Sequence, residues 1–168
     1  MSNLNEQFGA IYDQYIEKIY RFVYLKVNTE EIAQDITSKV FLRAWEAYSK
    51  PKNEIVNMGA FLYKVAGNAV IDHYRERGRT NVVSSDAIPE VADQGADIHE
   101  KAIFNADIST IKRAIQKLQK DHQDIIIWHY LEDMPIKNIA ELMDKPEGTI
   151  RVMLHRGLKS LRDIIQES

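Results

Sequence analysis

Apolar residues recur every three or four positions along most of this chain, the spacing that gathers them on one face of a helix. Phe8, Ile11, Tyr12, Tyr15, Ile19, Phe22 and Val23 mark a first helix running to about Lys26. Asn28-Thr29-Glu30-Glu31 reads as the start of a second. A capping side chain is followed there by acids in the first turn, where the positive end of the helix dipole favours them. The second helix carries Ile32, Ile36, Val40, Phe41, Ala44 and Trp45 and is expected to end near Tyr48. Lys50-Pro51-Lys52-Asn53 reads as a loop, because proline cannot continue a helix. A third helix from near Asn57 carries Phe61, Leu62, Val65, Ala66, Ala69 and Val70. It ends in HYRERGRT, with Gly78 as the expected stop.

Between Thr80 and Ala96 the period fails. NVVSSDAIPEVADQGA mixes turn formers with acids and reads as a linker. Helical spacing resumes at Ile103, Ile108, Ile111, Ala114, Ile115 and Leu118, then in the very apolar run Ile125, Ile126, Ile127, Trp128, Tyr130 and Leu131. A short face follows at Ile136, Ile139, Ala140 and Met143, then the turn formers Asp144-Lys145-Pro146-Glu147-Gly148. The period returns at Ile150, Leu154, Leu158 and Leu161. The expected fold is all-α: two small helical domains, residues 1–80 and 108–168, joined by an acidic flexible linker over 81–107. With only seven Gly and four Pro in 168 residues, little else interrupts the helices.

The last two elements form a short helix, a tight turn and a longer basic helix. That is the helix-turn-helix pattern, whose second helix enters the major groove of DNA. From Gly148 to Arg162 there are four Lys or Arg and no acid. Thr149 and Arg151, early in the second helix, are placed for bases, and Lys137, His155, Arg156 and Lys159 for phosphates. An ordinary helical hairpin with a solvated basic face has the same spacing, so this segment alone leaves both readings open.

A net charge of −3 looks wrong for a DNA binder until it is partitioned. Residues 1–80 carry 11 basic and 10 acidic side chains, and residues 108–168 carry 10 and 9. Residues 81–107 carry one basic and six acidic. The excess acidity sits in the middle, and both flanks are free to present local basic faces.

No apolar run is long enough to span a bilayer, and MSNLNEQFGAIYDQY has neither the basic nor the apolar region of a secretion signal. With no cysteine, disulfides and thiolate metal sites are excluded. A cytoplasmic protein without membrane insertion is the simplest expectation. The five histidines show no metal-ligand spacing on one helix face, and neither a phosphate-binding glycine loop nor a nucleophile elbow is present. Asp72 and His73 are neighbours, but adjacent helical residues point about 100° apart and do not face each other. The expectation is therefore a protein that is not an enzyme and uses no metal or cofactor.

Several motifs, in order, resemble the extracytoplasmic-function (ECF) group of bacterial RNA polymerase sigma factors. EEIAQDITSKVFLRAWEAY is similar to that group's polymerase-binding helix, and GAFLYKVAGNAVIDHYRERGR to the helix that melts and reads the minus-ten promoter element. MPIKNIAELMDKPEGTIRVMLHRGLKSLR is similar to the module that reads the minus-thirty-five element. The resemblance covers most of residues 8–80 and 108–163. The chain departs from the family pattern at Asp144, where Gly or Asn is usual, at Val152-Met153, where Ser-Arg is frequent, and at Ser38, where an acid is common.

The resemblance implies an alternative sigma factor whose partners are core RNA polymerase and promoter DNA, with an anti-sigma factor as a third candidate. It assigns polymerase binding to Asp35, Lys39, Leu42, Arg43 and Glu46, a helix face that would otherwise read as solvated. It assigns single-stranded minus-ten DNA to Lys52, Asn53, Asn68, Asp72, His73, Arg75 and Arg77, an inventory of cations for phosphates and flat or polar groups for bases. It also implies that the acidic connector threads the polymerase cleft. The competing class is a stand-alone helix-turn-helix regulator, which leaves the N-terminal motifs unexplained.

Overall fold

The structure, a computed structural model, describes residues 3–50, 55–80 and 109–167. The acidic segment 81–107 and the loop positions Lys52 and Asn53 lie outside the described residues. No described residue lies in a strand, in agreement with the all-α expectation.

Three helices form the N-terminal half: α1 (Asn3–Tyr24), α2 (Glu30–Tyr48) and α3 (Met58–Thr80). Thr29 caps α2 as expected, its hydroxyl accepting from the Ile32 N–H at 3.1 Å. Asn57 does the same for α3, accepting from the Ala60 N–H at 3.0 Å. Ile19, Phe22, Val23, Ala33, Ile36, Val40, Ala44, Leu62 and Ala66 interlock as the core of this half. The expected stop at Gly78 is not where α3 ends: the helix runs on to Thr80. Gly78 has ordinary negative φ. A helix-ending glycine acts by taking the left-handed conformation, and without it a glycine only weakens a helix.

The C-terminal half contains α4 (109–117), α5 (Lys120–Ile126), α6 (Ile136–Met143) and α7 (Glu147–Glu167). After α5 the chain widens into a π-helical turn over Ile127–Leu131. The Glu132 N–H there reaches back five residues to the Ile127 carbonyl at 3.1 Å. Gly157 of α7 lies against α5, where an added Cβ would sit 3.2 Å from Ile126 Cδ1 and 3.4 Å from His122. That absence of a side chain lets the two helices approach.

The halves are not splayed apart. Their buried side chains form one continuous cluster. The Phe22 and Trp128 rings stack in parallel with centroids 5.7 Å apart, and Tyr63 meets both edge-on. Gln116 donates to the Val27 carbonyl at 2.9 Å, and the Lys112 ammonium lies 3.7 Å from the centroid of the Tyr24 ring. This contact could not be read from periodicity, which reports one helix at a time.

Candidate nucleic-acid and polymerase interfaces

The helix-turn-helix is built on the turn between α6 and α7. Asp144 takes a left-handed conformation, φ 56°. Its N–H bonds to the Glu141 carbonyl at 3.3 Å, and the next N–H, of Lys145, reaches the Ala140 carbonyl at 3.0 Å. These two bonds close α6 in a Schellman motif. The position favours Gly or Asn, and a short polar Asp tolerates the same backbone, so the departure at Asp144 leaves the turn intact. Pro146 then opens α7, its carbonyl accepting from the Ile150 N–H at 3.2 Å.

Ile150 and Leu154 are buried, with Leu158 and Leu161 half-buried beside them, as the apolar stripe predicts. This stripe fixes the rotation of α7. Thr149, Arg151, His155, Arg156 and Lys159 are consequently exposed, and Lys137 is exposed on α6. Arg151 leans on Glu147 one turn earlier at 3.4 Å, a loose exposed pair that a stronger partner can displace. Val152, assigned no role from the sequence, is 48% exposed among these cations. An apolar residue off the buried stripe was the available signal.

On α2, Ile36 and Val40 turn inward and Asp35, Lys39, Leu42, Arg43 and Glu46 all face out. Leu42 is 59% exposed within this charged surround. Asp35 and Lys39 pair along the helix at 3.3 Å with both side chains about two-thirds exposed. Trp45 packs edge-on against Phe8, 5.2 Å between centroids, which makes it a support of this helix.

The residues expected from the sequence to take single-stranded DNA do not share one groove. Asp72 and His73 join Asp35, Lys39, Arg43 and Glu76 around a groove of about 160 Å³ between α2 and α3. Burial, aided by the nearby Arg77 cation, holds the His73 imidazole below its ordinary pKa. Asn68 instead lines a groove of about 490 Å³ whose far wall is the C-terminal half, with Lys120, Asp121, Asp124, Trp128 and Lys145. Arg75 is exposed and Arg77 half-buried near the end of α3. No group of three His, Asp or Glu among the described residues could hold a metal. No described helix is long and apolar enough to cross a membrane.

A helix-turn-helix with a basic exposed face, packed against a second helical unit with an exposed charged face, is the architecture of a DNA-binding protein. Residues 11–80 match the family Sigma-70 region 2, and residues 108–161 match Sigma-70, region 4. The chain belongs to the sigma-70 family of transcription initiation factors, in its ECF group. It is 28% identical over 165 residues to the ECF RNA polymerase sigma factor BldN of Streptomyces coelicolor, covering 96% of this chain and 61% of BldN. It is 27% identical over 172 residues to the ECF sigma factor SigW of Bacillus subtilis, covering 96% of this chain and 90% of SigW. In fold it is similar to the sigma factor RpoE from Bartonella quintana, solved in complex with the anti-sigma factor NepR. That match has a TM-score of 0.70 at 21% identity and covers 96% of this chain and 98% of RpoE.

Proposed function

We propose that this chain is an alternative sigma factor whose two halves divide the work of promoter selection. Residues 1–80 hold core RNA polymerase through Asp35, Lys39, Leu42, Arg43 and Glu46. The same half captures the opened minus-ten strand through Asn68, Asp72, His73, Arg75 and Arg77, completed by Lys52 and Asn53. Residues 108–168 read the minus-thirty-five element through α7. Residues 81–107 are the acidic connector between them, suited by charge to the cation-lined channels that carry nucleic acid.

The observation that carries this reading is the outer face of α2. Leu42 is an exposed apolar anchor ringed by mixed charges, the composition of a helix face that docks on a protein. A stand-alone regulator needs the α7 face but gives the α2 face nothing to do. The test is reconstitution. Core polymerase with the purified chain is expected to start transcripts at a specific promoter, whereas the chain alone shows no comparable sequence preference. Specific, tight promoter binding by the chain alone, unaffected by polymerase, would favour the regulator. An anti-sigma factor enters as a candidate third partner, tested by co-purification from the native cell.

A further inference from the structure

We infer that the groove beside α3 at Gly67 and Asn68 is a binding site for a nucleoside polyphosphate, a ligand that the sigma-factor reading does not call for. The site is built from side chains of the free chain and stands independently of that reading.

Three ammonium groups border the groove: Lys64 from α3, Lys120 from α5 and Lys145 from the turn after α6. Lys64 and Lys145 are exposed, and neither side chain has an ion-pair partner among the described residues. Lys120 leans on Asp124 at 3.0 Å, but Lys26 already meets that carboxylate, so the half-exposed Lys120 can turn to another anion. With Asp124 neutralised in this way, Asp121 is the remaining carboxylate on the lining. Ammonium groups are mobile point charges that take phosphate oxygens from several directions. One phosphate carries about two negative charges at neutral pH, so three cations suit a chain of phosphates.

Gly67 keeps the groove open. It lies in the middle of α3, buried and with negative φ, where glycine weakens a helix relative to alanine. Packing does not demand it, because an added Cβ would meet only the Lys120 ammonium, at 4.0 Å. Gly59 and Gly157 differ: a Cβ there would press on Tyr15 at 3.0 Å or on Ile126 at 3.2 Å. What a side chain at position 67 would take is space inside the groove, next to a cation.

The rest of the lining suits the nucleoside. The groove is about 490 Å³, inside the range of small-molecule sites, about 300–1,000 Å³. Phe61 and Met143, both half-buried, supply apolar wall for a flat ring. The exposed Asn68 amide offers an acceptor and two donors, the complement of a base edge. Tyr63 Oη and Trp128 Nε1, on two further lining residues, are buried polar atoms with no partner among the described residues. Such groups call for an acceptor, and the oxygens of a bound nucleotide supply several.

Isothermal titration calorimetry of the full chain with ATP tests the site. One ATP per chain is expected to bind saturably. Tripolyphosphate and adenosine should each bind at least about tenfold more weakly, since each keeps only part of the contacts. Lys64→Ala and Lys145→Ala should each weaken ATP about tenfold, as one charge-assisted contact is lost. Gly67→Leu should abolish binding although it removes no charge. Its helical circular dichroism and unfolding midpoint should hold or rise, because leucine favours the helix. Lys117→Ala removes an exposed cation outside the groove and should leave ATP binding unchanged. Absence of saturable binding to the unaltered chain overturns the site. So does equal weakening by Lys117→Ala and Lys64→Ala, or unchanged affinity in folded Gly67→Leu, because either reduces the effect to charge attraction spread over the surface. Tripolyphosphate binding as tightly as ATP overturns the nucleoside assignment. Failure to start transcripts would bear on the sigma reading alone, because ATP binding is measured without polymerase or DNA.

Discussion

The Lys26 ammonium and the Asp124 carboxylate meet out of contact with water, 98 residues apart in sequence, at the join of the two halves. Lys120 reaches the same carboxylate from its own helix at 3.0 Å but is half exposed and can turn to solvent. Lys26 cannot. Asp124→Leu should therefore destabilise the chain by about 3–5 kcal/mol, because it strands a buried cation. Lys26→Met combined with Asp124→Leu removes both charges and should recover most of that loss. Urea unfolding of the two single variants and the double measures the coupling. A double variant as unstable as the sum of the singles would show that the two charges act independently.

The same pair sets an alkaline pH dependence. Burial lowers the Lys26 pKa despite the opposing attraction of Asp124. Below the lowered value both the folded and unfolded chains carry this proton, and the folded state bears the full burial penalty. Above it the folded chain has released the proton while the unfolded chain keeps it, up to the ordinary lysine value of about 10.4. In that window the unfolded state binds more protons, so the Lys26 contribution to stability rises with pH. Buried tyrosines with raised pKa values, Tyr63 among them, act in the opposite direction. The difference in unfolding free energy between the unaltered chain and the Lys26→Met, Asp124→Leu variant isolates the lysine. It should grow in favour of the unaltered chain as pH rises through the window.

Asp35 tests the polymerase face without testing the fold. It pairs with Lys39 one turn away, an exposed contact worth about 0.3–0.5 kcal/mol. Asp35→Arg should leave helical circular dichroism and the unfolding midpoint nearly unchanged. Binding to core polymerase should weaken, because a reversed charge at a contact is repelled and poorly solvated. Equal affinity in a direct binding titration would remove Asp35 from the interface.

Much of this arrangement was legible in the chain because helical periodicity is a local signal. The α2 cap at Thr29, the inward faces of α2 and α7, and the turn at Asp144 follow from neighbours within a few residues. The end of α3 was not legible, since a glycine ends a helix only if the backbone beyond it turns left-handed, and at Gly78 it does not. The join of the two halves was invisible for a different reason. Arg21, Lys26, Asp124 and Glu132 are ordinary charged residues in helix-rich sequence, and only the three-dimensional approach of two segments makes them partners. The same limit applies to the residues proposed to take the minus-ten strand. Its residues cluster near the end of α3, but Asp72 and His73 share a groove with α2 while Asn68 faces the other half.

Two cations on α7 should separate base reading from phosphate binding. Arg151→Ala should lower affinity for the cognate minus-thirty-five element by about 1–3 kcal/mol and affect scrambled DNA much less. Lys159→Ala should weaken both about equally and flatten the salt dependence, because a phosphate contact acts through counterion release. The comparison is a salt titration of polymerase-bound chain on the two DNAs. Equal effects of Arg151→Ala on both would make it a phosphate contact.

Val152 stands on the same exposed face with nothing in the core to hold it. An apolar side chain among cations on a recognition helix suits one base feature, the methyl group of thymine, which the major groove displays beside the O4 acceptor. Replacing each thymine of the minus-thirty-five element in turn by deoxyuridine removes that methyl and nothing else. One position is expected to lose about 0.8 kcal/mol, the contribution of a single buried carbon group. Val152→Ser should weaken binding to the thymine form by a similar amount and abolish the difference between thymine and deoxyuridine at that position alone. The double comparison matters because removing the methyl also changes base stacking, and the serine also changes helix propensity and hydration. Loss of the methyl effect only when Val152 is gone ties the two groups together. If Val152→Ser leaves the deoxyuridine penalty intact at every position, the methyl is read by another side chain and Val152 is an incidental surface residue.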